Sequence, residues 1–227
     1  MSLFQPVMYF VFESYGISMT TSVFSSIMIS LIPVVSMLSG IFVLREIPSP
    51  MQYVFMSISV FGVIVMALAG KSDGTVTTLG IILLFGAVIS SVIFNISSRK
   101  ISKEFTAFER TYAMTVIGLI VFLSISFVEN IENPILVVSS FLSPRFCGAV
   151  VYLGFMSSVV AFLLLNYANT HLPVAKTTVF SNITTVVSVI AGVVFLKERL
   201  SASTVISTIM IVVGVCGVQL LDTKSQV

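Results

Sequence analysis

The sequence predicts an all-α fold, a polytopic membrane helical bundle built as an inverted-topology repeat of five-helix units, the first unit incomplete, with about seven to eight transmembrane helices in all. Three observations lead there. The chain of 227 residues is 57% hydrophobic and only 9% charged, with a mean hydropathy of +1.14. A water-soluble domain carries roughly 25% charged residues, so this composition cannot cover a water-facing surface. Apolar runs of about 20 residues recur along the chain, each long enough to cross a hydrocarbon core of roughly 30 Å as a helix. Finally, the sequence matches itself without gaps at an offset of 152 residues.

Broken at Gly, Pro, Ser and charge, the runs give eight candidate helices: Leu3 to Ile17, Val23 to Leu44, Met51 to Gly70, Val76 to Ser97, Thr111 to Val128, Phe146 to Ala168, Ala175 to Leu196 and Ser203 to Leu221. The first is short for a crossing; it has neither a basic region before it nor a small-residue cleavage site after it, so it is not read as a signal peptide. It carries Glu13, a carboxylate inside an apolar run and a candidate proton or cation site. The second carries Ser26, Ser30 and Pro33, spaced by four and three on one face. Pro33 withholds a backbone donor from the carbonyl of Ile29. This helix ends in Leu44, Arg45 and Glu46, after which Ser49 and Pro50 fit the N-cap and first position of the third.

The fourth helix carries the stripe Ser91, Asn95 and Ser98. The sixth ends in Asn166 and Asn169, and Asn169 with His171 is expected at the interface. The seventh carries Thr178, Asn182 and Thr185, and the last has Gly214 and Gly217 as close-packing positions. Strands are not expected, since a transmembrane barrel shows shorter runs of alternating polarity.

The same counts exclude other classes. With 11 basic and 9 acidic residues the net charge is +2, and the basic residues lie in short loops, so no nucleic-acid surface is expected. Cys147 and Cys216 read as small core residues, and no metal or other cofactor is expected. No HExxH, nucleophile elbow, phosphate loop or acidic cluster gives an enzyme a site. With eight crossings, Arg45, Arg99, Lys100, Lys103, Arg110, Lys176 and Lys224 share one side against Lys71, Arg145, Lys197 and Arg199 on the other. Seven against four favours both termini in the cytoplasm of a cell (plasma or inner) membrane.

At the 152-residue offset Val34, Val35, Ser36 and Gly40 fall on Val186, Val187, Ser188 and Gly192, and Leu44, Arg45 and Glu46 on Leu196, Lys197 and Glu198. Ser49 falls on Ser201, Gly62 on Gly214, and Tyr15 on Tyr167. The matching helices are five apart, an odd number, so they run in opposite directions. Ser26, Ser30 and Pro33 fall on Thr178, Asn182 and Thr185, which puts a polar stripe at one place in both repeats. Helix packing and substrate lining both explain such a stripe, and the repetition adds weight to lining. Gly40, Glu46, Gly192 and Glu198 read as the structural repeat motif. Glu46 and Glu198 are either ion pairs with the preceding basic residue that pin a turn, or hinge contacts between halves.

The runs Ser30 to Gly62 and Asn182 to Gly214 resemble the paired ends of the two EamA-type repeats of the drug/metabolite transporter superfamily. The resemblance implies ten helices and a central cavity lined by Glu13, the helices of Ser30 and Asn182, and those of Asn95 and Asn166. On it, residues 1–72 are the C-terminal part of the first repeat, 73–222 a complete second repeat, and 223–227 a cytoplasmic tail. The family's first two helices and part of its third are then expected about 76 residues upstream of Met1. The function expected is alternating-access transport of a small metabolite, amino-acid-like compound or drug, with efflux favoured and proton or cation coupling. Its partners are the lipid bilayer and the small-molecule substrate. The alternatives are a non-transporting truncated membrane protein, a partner subunit of a larger carrier, or a homodimeric carrier.

Overall fold

A computed structural model describes residues 1–20, 22–69, 76–130, 142–184, 186–187, 190, 202–221 and 224–225. Thr185, Gly192 and Glu198, and with them Ser188, Lys197 and Ser201, lie outside the described residues.

Helices occupy every run read from the sequence. A lead segment, Leu3–Met8, broken by extended backbone at Gln5 (φ −140°, ψ 126°), enters α1 (Tyr9–Ser18). The second run is two helices, α2 (Ser22–Ser30) and α3 (Ile32–Leu44), interrupted at Leu31. Then follow α4 (Pro50–Ala69), α5 (Thr78–Ile101) and α6 (Ala107–Glu129). The sixth run is α7 (Pro144–Tyr152), a π-helical stretch Leu153–Val160, and α8 (Ala161–His171). The seventh opens with α9 (Val174–Val179) and tightens into a 3-10 turn at Phe180–Asn182, and α10 (Ala202–Leu220) closes the bundle. A two-residue antiparallel pairing of Glu46–Ile47 (β1) with Lys224–Ser225 (β2) brings the end of the chain to the turn after α3.

Helix starts follow local chemistry. Thr106 and Glu109 form a reciprocal capping box, Glu109 N donating to Thr106 Oγ1 at 3.3 Å and Thr106 N to Glu109 Oε2 at 2.8 Å. This box starts α6 at Ala107, four residues before the apolar run itself begins at Thr111. Ser49 and Gln52 cap α4 in the same reciprocal way, at 3.3 and 2.9 Å. The Gln52 amide also reaches the carbonyls of Val218 and Leu221, both at 3.2 Å, tying the start of α4 to the end of α10.

Those contacts fix direction. The start of α4 lies at the end of α10, so the two run antiparallel. A Cβ built on Gly62 would meet Ser207 O and Ile211 at 3.0 Å, and one on Gly214 would meet Phe55 O and Ser59 at 2.6 Å. Gly62 and Gly214 are repeat equivalents, and so are Phe55 and Ser207, and Ser59 and Ile211. Each glycine therefore packs on the residues its own counterpart supplies from the other helix, the geometry of a two-fold axis in the membrane plane. The close approach needs glycine on both sides.

One apolar cluster, including Met37, Met56, Val179, Ile211 and Val215, fills the space between α3, α4, α9 and α10. A second, of Ile32, Val88, Val92 and Ile96, lies between α3 and α5 with Tyr9 and Ile29 against it. Elsewhere apolar side chains point outward. In Pro144–His171 no part of the most apolar window is buried. Such a surface is unstable in water and suited to lipid. Among the described residues, five helices are long and apolar enough to cross a membrane, with Pro50–Met66 a shorter apolar helix. Cys216, expected inside, is exposed on α10, and Cys147 is half-buried on α7.

Candidate functional site

The interruption in the second run has a local cause. Pro33, near the start of α3, has no N–H for the carbonyl of Ile29. Leu31 N instead donates to Met28 O at 3.1 Å, a tightened bond, and regular winding resumes with Val35 N on Leu31 O at 3.0 Å. In the equivalent helix the 3-10 turn Phe180–Asn182 falls at the same level. No proline is needed there: the hydroxyl of Ser181 bonds Thr178 O at 2.7 Å and that of Thr184 bonds Ser181 O, competing with the helical ladder.

Between the two interruptions lies a cavity of about 240 Å³. Ser25, Ser26, Ile29 and Ser30 line it from α2, Ile17 from α1, Val63 from α4, and Ser181, Asn182 and Thr184 from the seventh run. Asn182 Nδ2 donates to Ser59 Oγ at 2.9 Å, which fixes the carboxamide. A larger cleft of about 470 Å³ between α1, α6 and α8 is lined mainly by Pro6, Phe10, Met114, Phe122 and Phe162, an apolar surface that offers little to orient a polar ligand.

Of the residues singled out from sequence, Ser26, Ser30 and Asn182 meet on this one cavity. Pro33 is buried at the interruption. Thr178 lies one turn before Asn182, its hydroxyl on Val174 O at 2.8 Å. Glu13 is half-buried and accepts from Tyr9 Oη at 2.8 Å; it shares a face with Ile17, one turn from the lining. Ser25, Ser181 and Thr184 were not singled out. A 3-10 turn rotates about 120° per residue, which brings residues three apart, such as Ser181 and Thr184, toward one face, a pairing that the spacing of a regular helix does not single out.

Asn95 and Asn166 lie elsewhere, in a polar network at the end of the bundle that carries Arg45, Arg99, Arg110 and Lys176. Asn166 is fully buried; its Oδ1 accepts from Ser98 Oγ at 2.8 Å and its Nδ2 donates to Thr111 Oγ1 at 3.0 Å. Arg110 donates to Ser98 O at 2.7 Å, to Ser98 Oγ at 2.6 Å, to Asn166 O at 2.9 Å and to the hydroxyl of Thr170. Asn169, expected at the interface, is fully buried and turned inward, Nδ2 donating to Asn95 Oδ1 at 3.2 Å.

Glu46 completes the network. It bonds not its neighbour Arg45 but Arg99 Nε, at 3.1 Å, and Val174 N, at 2.8 Å. Arg99 also reaches the carbonyls of Asn169 and Thr170. Arg45 caps α3 in the left-handed region, φ 54°, and its side chain is exposed. Gly40 is buried where α3 passes Val174. The bonds of Glu46 tie the end of α3 to the end of α5 and the start of α9, joining segments that the repeat assigns to different halves. Lys176 and Gln219 add a reciprocal pair, each bonding the other's carbonyl, at 2.8 and 2.6 Å. This end of the bundle is latched.

Comparison with known proteins agrees with this architecture. Residues 1–68 and 78–220 match the EamA-like transporter family. The uncharacterized transporter YcxC of Bacillus subtilis (strain 168) is 31% identical over 223 residues, covering 96% of this chain and 70% of that protein. The uncharacterized transporter YetK of the same organism is 27% identical over 191 residues, 81% of this chain and 56% of its own length. One solved crystal structure, 16% identical, superposes over 97% of this chain and 82% of its own with a TM-score of 0.65, a likeness of fold. The chain belongs to the EamA-like transporter family.

Proposed function

We propose that this protein carries a small metabolite, amino-acid-like compound or drug across the cell membrane by alternating access, in the efflux direction. One observation carries the reading: a cavity lined by hydroxyls and a carboxamide lies where two antiparallel, repeat-equivalent helices are both interrupted. Discontinuous helices of this kind expose backbone polar groups that lipid could not satisfy, and in secondary transporters they form the substrate site. In this reading the basic end faces the cytoplasm with both termini, and the network around Glu46 and Arg99 closes the cavity on that side. Rocking of the halves breaks the latch and admits substrate. No covalent step is involved.

The test is counterflow in proteoliposomes containing the full chain and, separately, an N-terminally extended form, against a broad metabolite panel. Substrate-specific exchange that Ser30→Ala and Asn182→Ala each reduce about tenfold is expected, the scale of losing one polar contact to a charged group. No exchange of any compound by either form contradicts the proposal. Glu13 is assigned the coupling proton, since it lies one turn from the cavity with Tyr9 as its hydrogen-bond donor. Glu13→Gln is then expected to abolish accumulation driven by a pH gradient while leaving counterflow intact. Gradient-driven accumulation that survives the substitution removes Glu13 from coupling.

A further inference from the structure

The polarity of the cavity narrows the substrate class. On the reading that this cavity holds the transported compound, we infer that it selects a small molecule bearing a protonated amine and disfavours a carboxylate. A hydroxyl has one proton to give and two lone pairs to offer. Ser30 gives its proton to Ile27 O at 2.7 Å, Ser181 to Thr178 O at 2.7 Å, and Thr184 to Ser181 O. These three hydroxyls therefore present only acceptor capacity to a ligand.

Two further polar groups have the same sign. The carbonyl of Ile29, deprived of its helical donor by Pro33, belongs to a residue of the lining. Asn182 is 3% exposed, spends its Nδ2 on Ser59, and has an Oδ1 without a donor among the described residues. The described lining residues include no Lys, Arg or His. The carboxyl of Glu13 is one turn away. An ammonium brings three donors and a positive charge to this site. A carboxylate meets these acceptors with no cationic donor among the described lining residues to replace its water, a large penalty in a low-dielectric interior. A cavity of about 240 Å³ lies below the roughly 300–1,000 Å³ of drug-sized sites, which favours a small amine.

Four compounds sharing a hydroxyphenyl skeleton separate charge from shape: tyramine (cation), tyrosine (zwitterion), 3-(4-hydroxyphenyl)propionate (anion) and tyrosol (neutral). Calorimetric titration of the full chain in lipid nanodiscs is expected to show tyramine binding at least about tenfold more tightly than the other three, one charge-assisted contact's worth. Ser30→Ala with Ser181→Ala is expected to remove most of that preference. Asn182→Asp, which adds charge without removing an acceptor, is expected to tighten tyramine about tenfold. Equal or reversed preference, no binding of tyramine up to about 10 mM, or unchanged tyramine affinity in Asn182→Asp overturns the inference. Counterflow of the same compounds keeps the two readings apart. Exchange of the neutral or anionic compound in preference to tyramine refutes amine selectivity and leaves transport standing. Tight tyramine binding without exchange of tyramine upholds the selectivity and refutes transport.

Discussion

The basic end of the bundle and its central cavity are built from the same kinds of side chain, and they use them in opposite ways. At the basic end Ser98, Thr111, Asn95, Asn166 and Asn169 bond one another and two guanidinium groups across helix boundaries. Around the cavity Ser30, Ser181 and Thr184 turn their protons back onto their own helix and leave oxygen facing open space. The difference is the charge nearby. Two arginines with five donors each draw hydroxyls and carbonyls into shared bonds at that end, and around the cavity, whose described lining residues include no arginine, the hydroxyls remain available to a ligand. One region thus holds the halves together, and the other is left for a partner that the chain does not supply.

Glu46→Ala strikes the latch hardest. It strands Arg99 and the Val174 amide in a largely buried setting, and a loss of about 3–5 kcal/mol is expected, as for removing one partner of a buried ion pair. Denaturation in lipid micelles reads this directly, and a loss under about 1 kcal/mol makes the pair an ordinary surface contact. Asn166→Leu removes three interhelical bonds of the same region, to Ser98, Thr111 and the weak acceptor Met114 Sδ, and is expected to destabilise by about 2 kcal/mol. Gly214→Ala drives a methyl into Phe55 and Ser59 on the two-fold seam and is expected to cost about 1–3 kcal/mol. Gly154→Ala, with nothing within 4 Å, serves as the neutral control. Equal effects at the two glycines contradict the seam. Ser30→Ala comes last on this scale: less than about 1 kcal/mol of stability, yet transport reduced about tenfold. Loss of stability in proportion to loss of transport assigns Ser30 to packing.

Much of the architecture was legible. Apolar runs gave eight helices in order, and Gly62 and Gly214 read as repeat equivalents; that their helices pack on each other is seen in the structure, where the contacts follow the same offset. The offset also paired Ser30 with Asn182, which meet across the cavity. What sequence spacing missed was mostly long-range. Glu46 reads in the sequence either as an ion pair with Arg45 or as a hinge contact between halves; the left-handed cap at Arg45 turns that side chain outward, and the partner of Glu46 lies 53 positions away, which spacing alone does not supply. The start of α6 was placed late because a capping box, and not hydrophobicity, defines it. Asn166 and Asn95 read as part of the same polar pattern as Asn182, since nothing local distinguishes a carboxamide beside an arginine from one beside a cavity.

The central claim is that the network at the basic end gates a cavity between the halves. Labelling of Ser26→Cys, in a chain carrying Cys147→Ser and Cys216→Ser, by a membrane-impermeant thiol reagent applied from each side tests it most directly. With the latch intact, reaction is expected from the side opposite the basic end; adding Glu46→Gln is expected to raise reaction from the basic-end side several-fold. An unchanged rate from the basic-end side in a folded Glu46→Gln chain contradicts the account.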